Sequence, residues 1–149
     1  MRLDKLSVTA QQAFQASMSV AADANNSSIE PIHLLKALLE AGENNISSIL
    51  KRIGADPNVI KNNVDEEVNK LPKSSGNALP MAIPSQDLMK IIDNSVKIAE
   101  KLGDSYATTE HLLIALTEDK GSAGKVLNAE GVTKNRLRWH TMSLEAILE

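Results

Sequence analysis

Glu30-Pro31-Ile32-His33 sets a carboxylate and an imidazole three residues apart, the spacing with which four-helix di-iron proteins hold a metal. Such a centre needs a second pair and two more inward glutamates. The only comparable stretch, Thr108-Thr109-Glu110-His111, puts the glutamate next to the histidine, where a helix turns it to another side. No metal site is therefore expected. Both histidines are read as first-turn residues bonded to neighbouring chain.

Gly121-Ser122-Ala123-Gly124-Lys125-Val126 is superficially a phosphate loop. A Walker A loop needs four residues between its glycines and a hydroxyl after its lysine, and this run has neither. It reads as a turn into a helix. No nucleophile elbow and no Ser/His/Asp set stands at telling positions, so no catalytic residue is assigned. Arg136-Leu137-Arg138-Trp139-His140 is basic with one aromatic, but it reads as a solvated helix face in an acidic chain, and no nucleic acid is expected. Glu110 and Asp104 each have a structural reason to exist: a carboxylate suits the second position of a helix, and aspartate suits the turn after Gly103. Both also sit at the edge of a repeated motif, close to Ser7 if the halves pack symmetrically.

The bulk numbers bound the answer. With 149 residues, 42% hydrophobic and 23% charged, the chain has material for one ordinary domain or two small packed units. Its aromatics are limited to Phe14, Tyr106 and Trp139, so the core rests on aliphatic residues and helix packing. A formal charge of −3 is too mild to argue for a membrane surface, and the absence of cysteine removes disulfides and thiolate chemistry. Neither an apolar leader segment nor a long apolar run is visible, and a cytoplasmic location is expected.

The positioning elements come in two sets. His33-Leu34-Leu35-Lys36-Ala37-Leu38 returns 78 residues later as His111-Leu112-Leu113-Ile114-Ala115-Leu116. Ser7 caps a first helix with Ala10, Phe14, Met18, Ala21 and Ala22 on one stripe; Ser85 caps its copy, carrying Leu88, Ile91, Ile92, Val96, Ala99 and Leu102. Pro31 and Thr108 open the repeated leucine helices, which Gly42 closes in the first copy. A third helix over 47–53 ends at Gly54, as Val126-Leu127 leads to Gly131, and Asp56 and Thr133 open the last helix of each set. The expected architecture is all-α, with repeats over 1–71 and 85–149 and a linker, 72–84, rich in Pro, Ser and Gly.

Met1-Arg2-Leu3-Asp4-Lys5-Leu6-Ser7, Ile29-Glu30-Pro31-Ile32-His33-Leu34-Leu35, Pro84-Ser85-Gln86-Asp87-Leu88 and Thr108-Thr109-Glu110-His111-Leu112-Leu113 resemble, in that order, the amino-terminal domain of Clp ATPases. The ClpB-type disaggregase branch is nearest, and the resemblance spans about residues 1–137. It implies a double Clp repeat fold, two four-helix motifs related by a pseudo-twofold axis. It implies a non-catalytic, monomeric recruiting domain without a cofactor of its own. The ATP would be used by absent modules of a hexameric AAA+ ring that threads aggregated chains with the DnaK system. Partners would be exposed apolar stretches of unfolded or aggregated polypeptides. Family positions tied to that role match Ser7, Asp104 and Glu110. Leu88 and Ile92, with Met18 and Met89, are available to line an apolar client groove. In the sister ClpC branch a Thr-Glu-His in both repeats helps read phosphoarginine, and the ClpA domain docks an adaptor. Here Ile32 replaces the first glutamate, which favours the ClpB-type reading over an adaptor- or phosphoarginine-docking one.

Overall fold

Serines at 7 and 85 decide where the two longest helices begin. In the computed structural model, which describes residues 2–41, 45–74 and 82–138, each serine Oγ accepts from the backbone N–H three residues on, Ala10 and Leu88 respectively. These caps open α1 (Val8–Asp23) and α5 (Gln86–Lys101). Between them lie β1 (Ser28–Ile29), α2 (Pro31–Glu40), α3 (Ile46–Arg52), α4 (Pro57–Lys70) and β2 (Ile83–Pro84). After α5 come α6 (Thr109–Thr117), α7 (Ser122–Ala129) and a helical turn over 134–138. The expected all-α fold is the one observed, and the phosphate-loop look-alike does run into α7.

The 78-residue pitch holds well beyond the leucines. Buried Ser17 and Ser95 each donate to the carbonyl three residues back, which satisfies a hydroxyl inside the core. The chain reverses through left-handed backbone at Asn25 and Gly103, 78 apart, and again at Gly54 and Gly131, 77 apart because the second copy has lost one residue by then. The apolar stripe of α1 is Ala10, Ala13, Phe14, Ser17 and Ala21; Met18 and Ala22, expected on it, are exposed. Glycine 42, the expected stop of α2, lies outside the described residues, as do the linker's 75–81 and the chain beyond 138.

One aliphatic core draws on both repeats, from Leu6 to Leu137. Within each repeat the first helix packs chiefly on the second, α1 on α2 and α5 on α6; between repeats, α2 meets α5, α6 and α7. The backbone is also exchanged across the seam. Leu6 forms a parallel bridge with Ala107, and β1 pairs in parallel with β2, so the segment before each repeat's first helix bonds the segment before the other's second helix. That reciprocity is what a twofold relation between two copies requires. The described ends of the linker are tied as well, since Ser74 N–H donates to Asn25 O at 2.7 Å and Ile83 N–H to Ser27 O at 3.2 Å.

Candidate functional site at the seam between the repeats

The amino end of α6 is built around His111. Thr108 N–H donates to its Nδ1 at 2.9 Å, the Thr108 side chain accepts from the histidine's backbone N–H, and the ring's Nε2 lies 3.0 Å from Asp104 Oδ2. With Nδ1 accepting, the proton sits on Nε2 and is donated to the carboxylate. Glycine 103, at φ +79°, lets the chain turn so that Asp104 reaches the ring.

The amino end of α2 repeats this arrangement with two exchanges, Glu30 for Thr108 at the cap and Asn26 for Asp104 at the ring. Glu30 N–H donates to His33 Nδ1 at 2.8 Å, and His33 Nε2 donates to Asn26 Oδ1 at 2.8 Å. The Glu30 carboxylate accepts from the backbone of His33 and from Ser28 Oγ, so the Glu-x-x-His is a capping box. Both histidines do bond neighbouring chain, as their positions implied. Asn26 is the partner that sequence reasoning missed, although it stands seven residues before His33 as Asp104 stands before His111, and its amide also donates to Pro72 O. Burial, reinforced by the Lys36 cation, pulls the His33 imidazole down from its usual 6.5 to about 4. This ring is neutral in ordinary buffers, as a histidine between a backbone N–H and an amide oxygen must be.

Ser7 joins this region through the backbone. Its N–H donates to Ala107 O at 2.8 Å and Ala107 N–H donates to Lys5 O at 2.8 Å, which fixes the start of α1 beside the loop between Asp104 and Glu110. The backbone thus ties Ser7 to the loop that follows Asp104 and precedes Glu110. The three predicted residues do not share one bonding network: Ser7 caps α1, Asp104 holds His111, and Glu110 borders a shallow depression with Ile49, Leu113, Ile114 and Leu137. Leu88 and Ile92 require a correction. Both are 0% exposed inside the core, because α6 covers the face of α5 that carries them, so they line no open groove. The large apolar side chains that do face solvent here are Val8, 71% exposed, and Tyr106, 56% exposed, the immediate neighbours of Ser7 and Ala107. Met18 and Met89 are each partly exposed.

Residues 5–130 match the family model of the Clp repeat N-terminal domain. The chain belongs to that family. Its first 137 residues or so carried the resemblance, and the described helices carry the fold. Among curated relatives, the chaperone protein ClpB of Propionibacterium freudenreichii subsp. shermanii is 35% identical over 133 residues, covering 89% of this chain and 15% of the relative. The chain therefore spans about a sixth or less of the length of such a chaperone. The Hsp104 N-terminal domain from Candida albicans superposes with a TM-score of 0.80 at 22% identity, covering 95% of this chain and 91% of that one. A ClpV N-domain, solved in complex with a VipB peptide, superposes at 0.71 with 16% identity, covering 93% of this chain and 86% of that one. No described helix is long and apolar enough to cross a membrane.

Proposed function

We propose that this Clp repeat domain recruits unfolded or aggregated polypeptides in the cytoplasm for a ClpB-type disaggregase. Threading and ATP hydrolysis belong to the hexameric ring of the parent, working with the DnaK system, and no catalytic step is assigned to this chain. The observation that carries the reading is the pair Val8 and Tyr106, two large apolar side chains left in solvent beside Ser7 and Ala107 at a seam fixed by backbone bonds. Exposed aromatic and aliphatic groups on a rigid frame suit weak contact with many unrelated apolar segments. Six such domains on one ring would multiply a weak contact by effective concentration. The likeness to Hsp104 and to a peptide-bound ClpV domain points the same way.

The phosphoarginine alternative lacks, in the first repeat, a carboxylate at the position of Glu110. Ile32, which stands where Glu110 stands in the second, is 1% exposed in the core. The deciding experiment is an NMR titration of labelled protein with a reduced, alkylated globular protein as client. Amides of Ser7, Val8, Tyr106 and Glu110 should shift, and a Val8→Asp/Tyr106→Asp variant should lose the shifts while keeping its fold. Unperturbed seam amides at saturating client would refute the recruiting role, and shifts on titration with phosphoarginine would favour the alternative.

A further inference from the structure

At the carboxyl ends of α5 and α6 lies a cavity of about 200 Å³, bordered by Lys97, Lys101, Lys134 and Arg138, with Ile98 and Leu102 on its apolar wall. Glu118 is its single acid and pairs with Lys134 at 3.2 Å. Lys97, Lys101 and Arg138 have no ion-pair partner among the described residues. Four cations against one carboxylate is an unusual local excess in a chain of formal charge −3.

The first repeat supplies an internal control. Basic residues are favoured at helix carboxyl ends by the dipole, which is the structural reason for finding lysine there. Yet α1, the copy of α5, ends with no basic residue in its last turn, and α2 and α6 both end without one. Serine 19 and Asp23 stand where Lys97 and Lys101 stand, and Pro57 where Lys134 stands. Only Lys61, the copy of Arg138, is basic, against Asp23 and Glu40. The first repeat closes α1 without a lysine, and Lys134 and Arg138 lie on the separate turn over 134–138, so compensation at the end of α5 does not account for the cluster.

We propose that this cavity is a second docking site, for an acidic polypeptide segment that seats one apolar side chain against Ile98 and Leu102 and its carboxylates on the lysines and Arg138. Its size supports a short segment: cofactor and drug pockets run to about 300–1,000 Å³, whereas this one holds a side chain or two. The apolar wall favours a polypeptide over a bare phosphate backbone, which would gain nothing from Ile98. The cavity shares no lining residue with Ser7, Val8, Tyr106 or Glu110, so the two sites can be probed by separate amides.

The test is an NMR titration of the 149-residue chain with a short blocked peptide of Glu, Leu and Gly, with the same peptide carrying Lys for Glu, and with oligothymidylate. The acidic peptide should shift Lys97, Ile98, Lys101 and Leu102, and added salt should weaken it as screening shortens the reach of the cations. The lysine peptide should shift none of them. Lys97→Glu/Lys101→Glu should weaken the acidic peptide about tenfold, with an unchanged circular dichroism spectrum, since both side chains are exposed. Equal response to both peptides, shifts confined to the Ser7 seam, or tighter binding of oligothymidylate would each overturn the proposal. Failure of the unfolded client at the seam would leave this result intact, so the two readings fail separately.

Discussion

In the first repeat the histidine at the head of the leucine helix donates to a neutral amide, Asn26; in the second it donates to a carboxylate, Asp104. The frame around the two rings matches, with a backbone N–H on Nδ1, a capping box and a left-handed residue just before the partner. The cap itself differs, being the Glu30 carboxylate in one and the Thr108 hydroxyl in the other. The same contrast recurs elsewhere. Ile32 is buried where Glu110 reaches the surface, and Ser19 and Asp23 of α1 stand where Lys97 and Lys101 of α5 form part of a basic cluster. A duplicated fold keeps the bonds that make it fold in both copies. What differs between the copies is charge, at the partner of the histidine, at the position of Ile32 and Glu110, and along α5 relative to α1. Charge asymmetry between the repeats is therefore where function is to be sought, more than in the leucines they share.

The largest expected effects probe what the repeats have in common. Leu34→Ala and Leu112→Ala, equivalent and fully buried, should each cost about 2–5 kcal/mol in denaturant melts, with the same order of loss in both. If one costs under about 1 kcal/mol, the two halves do not share the core equally.

Acid should then separate the repeats. Folded His33 takes its proton only near pH 4, whereas in the unfolded chain it does so near 6.5. Between these values the unfolded state binds more protons, so stability is full above 6.5 and falls as pH drops towards 4, by up to roughly 3 kcal/mol. Urea midpoints across that window measure it, and His33→Gln should flatten the profile. Exchanging the partners sharpens the point. Asn26→Asp leaves Pro72 O without its donor and places a carboxylate in a buried site, costing about 1–3 kcal/mol at pH 7, whereas Asp104→Asn keeps an acceptor for His111 and should cost under about 1.

The smallest effects concern the turns. At Gly103, φ +79°, an alanine Cβ meets no atom within 4 Å but must adopt a left-handed backbone, so Gly103→Ala should cost about 1 kcal/mol. Asn25 already bears φ +58°, and Asn25→Gly should move the thermal midpoint little in either direction. A large loss at Asn25 would mean that its side chain, and not its backbone, sets the first turn.

Much of this was legible in the chain because it is local. A serine that caps a helix, a proline at its first position and a glycine or asparagine that reverses the chain act through bonds a few residues long, so their types and spacing fix helix starts, stops and the 78-residue pitch. Periodicity likewise marks α5 as amphipathic. It cannot say what covers the apolar side, and for that reason Leu88 and Ile92, plausible as groove residues, prove to be core under α6. The bridges Leu6–Ala107 and β1–β2 join residues far apart in sequence and leave no local signature, so the burial of Leu6 and the exposure of Val8 and Tyr106 were decided only by tertiary packing. The sequence determined two copies of one helical unit. Their mutual docking determined which side chains were left for a partner.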